Sequence, residues 1–356
     1  MKAAIVRQVG AKVEVVDVDV RDPGPGEVRL RIAATGVCHS DLSFQNGTLP
    51  GMLPAILGHE GAGVVTHTGP GVTSVKPGDH VILNWVPSCG ACYFCNRGQF
   101  QLCGSPRGAS EPKLFLDGVP IPGVAGMGTF AEEMVVSENA VVPIPDDVPM
   151  DVAALIGCGV MTGAGAALNT AQVEPGSSVV VIGCGGVGIN TIQGAKVCGA
   201  ATILAVDRYE NKREMAKRFG ATHAAAPEEL PQAMQDLTAG RGFDYGFEVI
   251  GLAATIRQAW DATRRGGKTI VVGAGRFDDM LQLSAFELFF MEKQLVGSVY
   301  GSANVRRDFP RLIALWRSGK LDLEGLVTRH VQLGQVQEAF EAMERGEVIR
   351  QVVTFE

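Results

Sequence analysis

Over about the first 142 residues, short runs of apolar and β-branched residues at 13–20, 28–34, 62–67, 80–83 and 133–136 alternate with breaks rich in glycine and proline, such as Asp22-Pro23-Gly24-Pro25-Gly26 and Lys76-Pro77-Gly78-Asp79. Short strands cut by turn residues at that spacing predict an irregular antiparallel β-barrel. The texture changes near Asp151. Beyond it, Ala-rich helical text alternates with apolar strands at 178–182, 202–206, 245–249, 269–272 and 294–298. Strand and helix in strict alternation predict a parallel, doubly wound α/β sheet. A helix over 306–318 and a strand over 351–355 then return to the first unit. The expected division is therefore 1–158, 159–299 and 300–356, the last segment completing the first domain.

Composition adds constraints of its own. A chain of 356 residues is too long for one ordinary core, and an apolar fraction of 46% is enough to fill two. Lys and Arg number 31 against 38 Asp and Glu, a net charge of −7. That balance gives no electrostatic reason to bind nucleic acid or an anionic membrane, so the expected partner is a small molecule. The opening Met1-Lys2-Ala3-Ala4-Ile5-Val6-Arg7 lacks the apolar run of a signal peptide, and no stretch of about 18 uncharged apolar residues is expected to span a bilayer. These features point to the cytoplasm, where eight cysteines are better read as ligands than as bridges.

Six of the eight fall into metal-type patterns. Cys89, Cys92, Cys95 and Cys103 are packed as C-x2-C-x2-C-x7-C, the spacing of a closed tetrahedral zinc site that folds a loop and leaves no coordination position for chemistry. A second set flanks it: Cys38 in Val37-Cys38-His39-Ser40-Asp41, His59 in Gly58-His59-Glu60, and Cys158 in Gly157-Cys158-Gly159. Two thiolates and one imidazole with a vacant fourth position form a catalytic zinc site. Either cysteine alone would more simply be a buried structural thiol; together with His59 they read as ligands. Cys184 and Cys198 are left as small packing residues, and His67, His80, His223 and His330 as surface or packing residues.

The strand over 178–182 runs into Gly183-Cys184-Gly185-Gly186-Val187-Gly188 and then into helical text over 189–199. In that context G-x-G-x-x-G is a dinucleotide fingerprint: Gly183 for the tight turn, Gly185 for approach of the pyrophosphate, Gly188 for close helix–strand packing. Nineteen residues past Gly188, Asp207 ends the next strand and would accept both ribose hydroxyls and repel a 2′-phosphate, predicting NAD rather than NADP. Arg208, its neighbour, could instead meet a 2′-phosphate, but that phosphate would still sit beside Asp207.

Taken together, Gly58-His59-Glu60-Gly61-Ala62-Gly63, the Cys89 to Cys103 lobe, Gly157-Cys158-Gly159-Val160-Met161-Thr162-Gly163 and the Gly183 to Gly188 loop resemble, over nearly the whole chain, the zinc-containing alcohol dehydrogenases of the medium-chain dehydrogenase/reductase superfamily. The resemblance implies a GroES-like barrel carrying both zinc sites, a Rossmann domain, and a catalytic cleft between them. It implies Cys38, His59 and Cys158 as catalytic zinc ligands, Glu60 as a transient ligand, and Asp41 as the carboxylate that orients His59. By the same match Ser40 is the hydroxyl bonded to the reacting alcohol, and Thr162 lies by the nicotinamide. Gly186, Val187, Lys212 and Val272 join the cofactor contacts, with Arg350 and His39 at the pyrophosphate; His39 stands where many members have an arginine. Ser43 replaces a histidine that ends the proton relay in well-known members. Trp85, Val124 and Ala125 would line the substrate pocket, and the family pairs chains through the Rossmann sheet edge, here 294–298, as dimers or tetramers.

The activity so implied is zinc- and NAD-dependent interconversion of primary alcohols and aldehydes, with two zinc ions per chain. Two other readings stay open. A thiol-dependent formaldehyde dehydrogenase would share the scaffold and use Arg107 against an anionic thiol cofactor. Leu49, where glutathione-dependent members carry an acid, favours mycothiol over glutathione in that case. The third reading is a non-catalytic NAD-binding structural protein, against which the retention of all three ligands argues.

Overall fold

The computed structural model describes residues 1–104 and 112–355. The chain divides into two compact units, one of residues 1–159, 304–313 and 323–356, the other of 160–303 and 314–322. The first contains a seven-stranded sheet ordered Val141–Pro143, His80–Leu83, Gly61–Thr68, Glu27–Val37, Arg350–Thr354, Val327–Val331, with Glu133–Ser137 also paired to Glu27–Val37. Every pair is antiparallel except Val327–Val331 with Arg350–Thr354. Two three-stranded sheets flank it, one around Lys2–Val6 and one around Leu114–Leu116.

The turn at 76–79 shows how the strands are cut. Gly78 takes a φ of +95°, which costs glycine least, and the Asp79 carboxylate accepts the Lys76 N–H at 2.9 Å. Alternate positions of Glu27–Val37 feed opposite apolar clusters: Val28, Leu30 and Ile32 pack with Val65, Val81 and Met134, whereas Val37 packs with Leu57, Phe130 and Phe340.

The second unit holds a six-stranded, all-parallel sheet in the order His223–Ala225, Thr202–Val206, Ser178–Ile182, Phe243–Glu248, Thr263–Val271, Gln294–Gly297. Val179, Val180 and Val181 are fully buried, as a central parallel strand covered on both faces requires. The sheet reverses its winding at Ser178–Ile182, whose neighbours are Thr202–Val206 and Phe243–Glu248, and the carboxyl ends of those strands are where such folds bind ligands. Fold and class are those expected: a GroES-like β-domain and a Rossmann-type sheet.

Two sequence expectations need correction. The helical run Met150–Ala171 is long and apolar enough to be a candidate membrane span, contrary to the expectation that no such stretch exists; 83% of its apolar window is buried inside the protein. Its Gly, Thr and Asn residues broke the run to the eye without adding charge, and it serves as a core helix. Cys198 is only half-buried at the end of the helix Gly186–Val197, whereas Cys184 is fully buried.

Candidate metal and nucleotide sites

The lobe over 89–103 brings the thiols of Cys89, Cys92, Cys95 and Cys103 within 4.8 Å of one another. Cys92 Sγ lies 3.6 Å from Cys95 Sγ and 3.8 Å from Cys103 Sγ. Bonds of about 2.3 Å in a tetrahedron give sulfur–sulfur edges of about 3.8 Å, so the cage fits zinc. The backbone N–H groups of Cys95 and Gly104 hold the Cys92 thiol below its usual pKa, while burial pushes Cys95 up. Among the described residues, which include all eight cysteines, no disulfide forms. Arg107 lies outside the described residues.

Cys38, His59 and Cys158 form the second cluster, all three buried and again within 4.8 Å. Each sits where a regular element ends or is interrupted. Cys38 follows the strand Glu27–Val37 and caps the helix His39–Gln45; His59 precedes the strand Gly61–Thr68; Cys158 lies in the π-turn Ile156–Val160 of the core helix. His59 Nε2 is 3.4 Å from Cys158 Sγ, against about 3.6 Å for a tetrahedral sulfur–nitrogen edge on zinc. The other ring nitrogen, Nδ1, meets Asp41 Oδ1 at 3.1 Å, and the same oxygen accepts the Gly58 N–H at 2.9 Å. Asp41 is fully buried and fixes the imidazole so that Nε2 faces the thiols.

Burial pulls the His59 pKa down, but the Asp41 carboxylate and the Cys38 thiol outweigh it and raise the value to about 10. Cys38 is held well below the usual thiol range, first by the Cys158 thiol and then, against its own burial, by His59. An imidazolium beside a thiolate is a cation-ready donor set whose proton a metal would displace. Three donors leave a fourth position for substrate or water. Ser40 is half-buried in the first turn of the helix His39–Gln45, its Oγ 3.8 Å from Cys38 Sγ. Trp85 presents its ring edge-on to His59, centroids 6.3 Å apart, while also packing on an apolar cluster. Val124 is packed into the core cluster around Phe130 and Phe340, with Ala125 against it. Ser43 is buried, and its carbonyl accepts the Leu49 N–H at 2.9 Å.

Glu60 and Arg350 form a buried ion pair behind this cluster. Glu60 Oε1 also accepts the Gly159 N–H at 2.8 Å, which ties the pair to the residue after Cys158. Gly36 makes the seat: a Cβ there would collide with the Glu60 carboxylate. Glu60, expected beside the metal, and Arg350, expected at a pyrophosphate, thus contact each other.

In the second unit the glycines behave as their spacing predicts. Gly183 takes a φ of +99°, and a Cβ on Gly188 would strike the Gly183 carbonyl, so the turn closes only with glycine at both. A Cβ on Gly185 would meet open space. Gly186 and Val187 open the helix Gly186–Val197. Asp207 Oδ2 accepts the Cys184 N–H at 2.8 Å and Oδ1 accepts the Tyr209 N–H at 2.9 Å, leaving one acceptor direction on each oxygen. Thr162, Lys212 and Val272 are half-buried, whereas Arg208 and, in the first unit, His39 are exposed.

Two residues of this unit escaped the sequence reading. Glu248, fully buried, accepts the N–H groups of Ile250 and Gly251 and the Thr255 hydroxyl on its carboxylate, and those of Val272 and Gly273 on its carbonyl. It thereby fastens two loops at the carboxyl end of the sheet. Tyr209 carries Arg208 and Lys212 over its ring. An aromatic with basic residues at i−1 and i+3 was the available signal for Tyr209; a lone acid ending a strand was the signal for Glu248.

Comparison with known proteins agrees with this architecture. Residues 24–146 match the model for the alcohol dehydrogenase GroES-like domain, and 186–318 that for zinc-binding dehydrogenases. The chain is 40% identical to the alcohol dehydrogenase class-3 of Cereibacter sphaeroides and 37% identical to the S-(hydroxymethyl)glutathione dehydrogenase of Paracoccus denitrificans, each over 99% of both chains. The crystal structure of benzyl alcohol dehydrogenase from Acinetobacter calcoaceticus superposes with a TM-score of 0.94 at 33% identity, covering 100% of this chain and 99% of that one.

Proposed function

The chain belongs to the zinc-containing alcohol dehydrogenases of the medium-chain dehydrogenase/reductase superfamily, and on that premise we propose that it interconverts primary alcohols and aldehydes, whether allylic, aromatic or medium-chain, by hydride exchange with NAD. The observation that carries this reading is the buried Cys38, His59 and Cys158 set with Asp41 behind the imidazole.

Zinc held by those three residues would supply Lewis acidity, which takes a coordinated water from a pKa of 15.7 to about 7, equivalent for an alcohol to roughly 12 kcal/mol at 1.36 per unit. Ser40 accepts and passes on the hydroxyl proton; a hydrogen bond of this kind contributes only about 1.5–3 kcal/mol, so its role is conduction. Ser43, buried where the resemblance would put a relay histidine, offers no group that titrates near neutral pH. Asp41 holds the His59 tautomer, and Glu60 stays paired with Arg350. Trp85, edge-on to His59, limits the width of what reaches the ligand set. Cys89, Cys92, Cys95 and Cys103 hold a second, structural zinc. In the nucleotide unit, the Gly183 to Gly188 turn receives the pyrophosphate at the N-terminus of the helix Gly186–Val197, and Asp207 takes the adenosine ribose. Eight thiols outside any disulfide suit a reducing cytoplasm.

Purified protein should carry two zinc ions per chain and reduce NAD when supplied with primary alcohols. One zinc ion and no turnover across a broad alcohol panel would instead support the non-catalytic reading.

A second reading draws on the relatives. The Paracoccus denitrificans relative is named an S-(hydroxymethyl)glutathione dehydrogenase, which supports a thiol-dependent formaldehyde dehydrogenase by analogy. Leu49 disfavours glutathione as the thiol. Formaldehyde turnover that appears only on addition of a low-molecular-weight thiol separates the two readings.

A further inference from the structure

Three basic residues crowd the one carboxylate that is to choose between NAD and NADP. Arg208, Lys212 and Arg213 all follow Asp207 within six positions. Left free, three cations against one anion would draw a 2′-phosphate and blunt the repulsion Asp207 supplies. None is left free. The Arg208 guanidinium lies 4.6 Å from the centroid of the Tyr209 ring, and its Nη2 donates to the Tyr209 hydroxyl at 2.8 Å. Lys212 Nζ lies 5.2 Å from the same centroid. Arg213 Nη1 is spent on the carbonyls of Asp207 and Arg208, at 2.9 and 3.2 Å. The Tyr209 backbone N–H, meanwhile, fixes Asp207 Oδ1.

We propose that Tyr209 is a specificity-determining residue, a clamp whose ring and hydroxyl keep Arg208 and Lys212 from a 2′-phosphate and so make this site select the dinucleotide that lacks one. The assignment rests on the dinucleotide reading above and adds to it a residue that touches neither the ribose carboxylate's free lone pairs nor the reacting atoms. Its physical content is a competition. A guanidinium over an aromatic face is held weakly when exposed, by an amount comparable to what it would gain from a solvated phosphate, so removing the ring should release it.

The test is nucleotide binding by the zinc-loaded protein, read from NADH and NADPH fluorescence and from competition by ADP and 2′,5′-ADP. Wild type should prefer NADH and ADP. In Tyr209→Phe, which keeps the ring and loses the hydroxyl, NADPH affinity should rise about threefold. In Tyr209→Ala it should rise roughly tenfold and fall again with added salt, as expected of a newly exposed cation, with NADH affinity changed by less than about twofold. Adding Arg208→Met to Tyr209→Ala should cancel most of the gain. Circular dichroism of the phenylalanine variant guards against misfolding as the cause. An NADPH-to-NADH ratio unchanged in both variants, or narrowed only by loss of NADH, overturns the clamp while leaving the NAD reading intact. Wild type that binds neither nucleotide, or both equally, overturns the two together.

Discussion

Glu60 and Arg350, 290 positions apart in the chain, are joined in an ion pair with almost no access to solvent. Removing one member of such a pair strands the other as a buried charge and costs about 3–5 kcal/mol. Arg350→Leu should therefore lower the unfolding free energy, measured by denaturant titration, by that amount, and Glu60→Gln by less, because the amide still accepts the Gly159 N–H. A double-mutant cycle measures the coupling; a loss below about 1 kcal/mol in Arg350→Leu would show that the pair is not formed.

Asp41 fixes the His59 ring and would act through it on a metal held there. Asp41→Asn should weaken zinc at the Cys38, His59 and Cys158 set by about 10- to 100-fold and leave the Cys89 lobe loaded. Cys38→Ser should drop the zinc content from two ions to one and abolish alcohol-dependent NADH formation with the fold retained. Chelator competition resolves the two classes of zinc, and simultaneous loss of both ions would refute their independence.

Glu27 links pH to stability. Its burial favours the neutral acid, but Arg21, the Gly24 N–H and Lys113 outweigh that and lower its pKa. A carboxylate whose folded pKa is depressed stabilises the fold above its unfolded value, near 4.5, and loses that contribution as pH falls through the lower folded value. Glu27→Gln should cost about 1.5–3 kcal/mol at neutral pH and flatten the acid limb of the stability curve. Equal costs at pH 3 and pH 7 would contradict this.

An apolar face in the second unit is left exposed among the described residues. The edge strand Gln294–Gly297 presents Leu295, 38% exposed, and the helix Ala285–Phe290 buries none of its residues, leaving Phe286 at 67% and Phe289 at 78%. Faces of this kind, beside an unpaired strand, are where copies associate. Sedimentation velocity should give a dimer or tetramer, and Leu295→Lys with Phe289→Glu should shift it toward monomer. A monomeric wild type would refute the assembly.

Legibility followed the physics of each feature. Ser178–Ile182, Thr202–Val206 and His80–Leu83 are legible to the residue because buried strands are written in short apolar runs rich in β-branched residues. Thr263–Val271 begins six residues earlier than its apolar text, since Arg264, Arg265, Gly266 and Gly267 read as a turn; Gly266 does take a φ of +69°, and the pairing with Phe243–Glu248 skips from Thr263 to Lys268. The two cysteine clusters were readable because ligand chemistry restricts residue type and local spacing. The Glu60 and Arg350 pair was not, because nothing local to position 60 names a partner in the C-terminal strand. Tyr209 was not legible for the opposite reason: its contacts are local, but a tyrosine beside basic residues is common text without a site.

The strand Arg350–Thr354 lies between Glu27–Val37 and Val327–Val331 in the first unit's sheet. During synthesis the N-terminal half must therefore wait, with one edge of Glu27–Val37 unsatisfied, until the region of Arg350 has emerged from the ribosome, by which time the parallel sheet over 178–297 is already translated. The unit begun first is closed last, and the strand that ends just before Cys38 is not flanked on both sides until then.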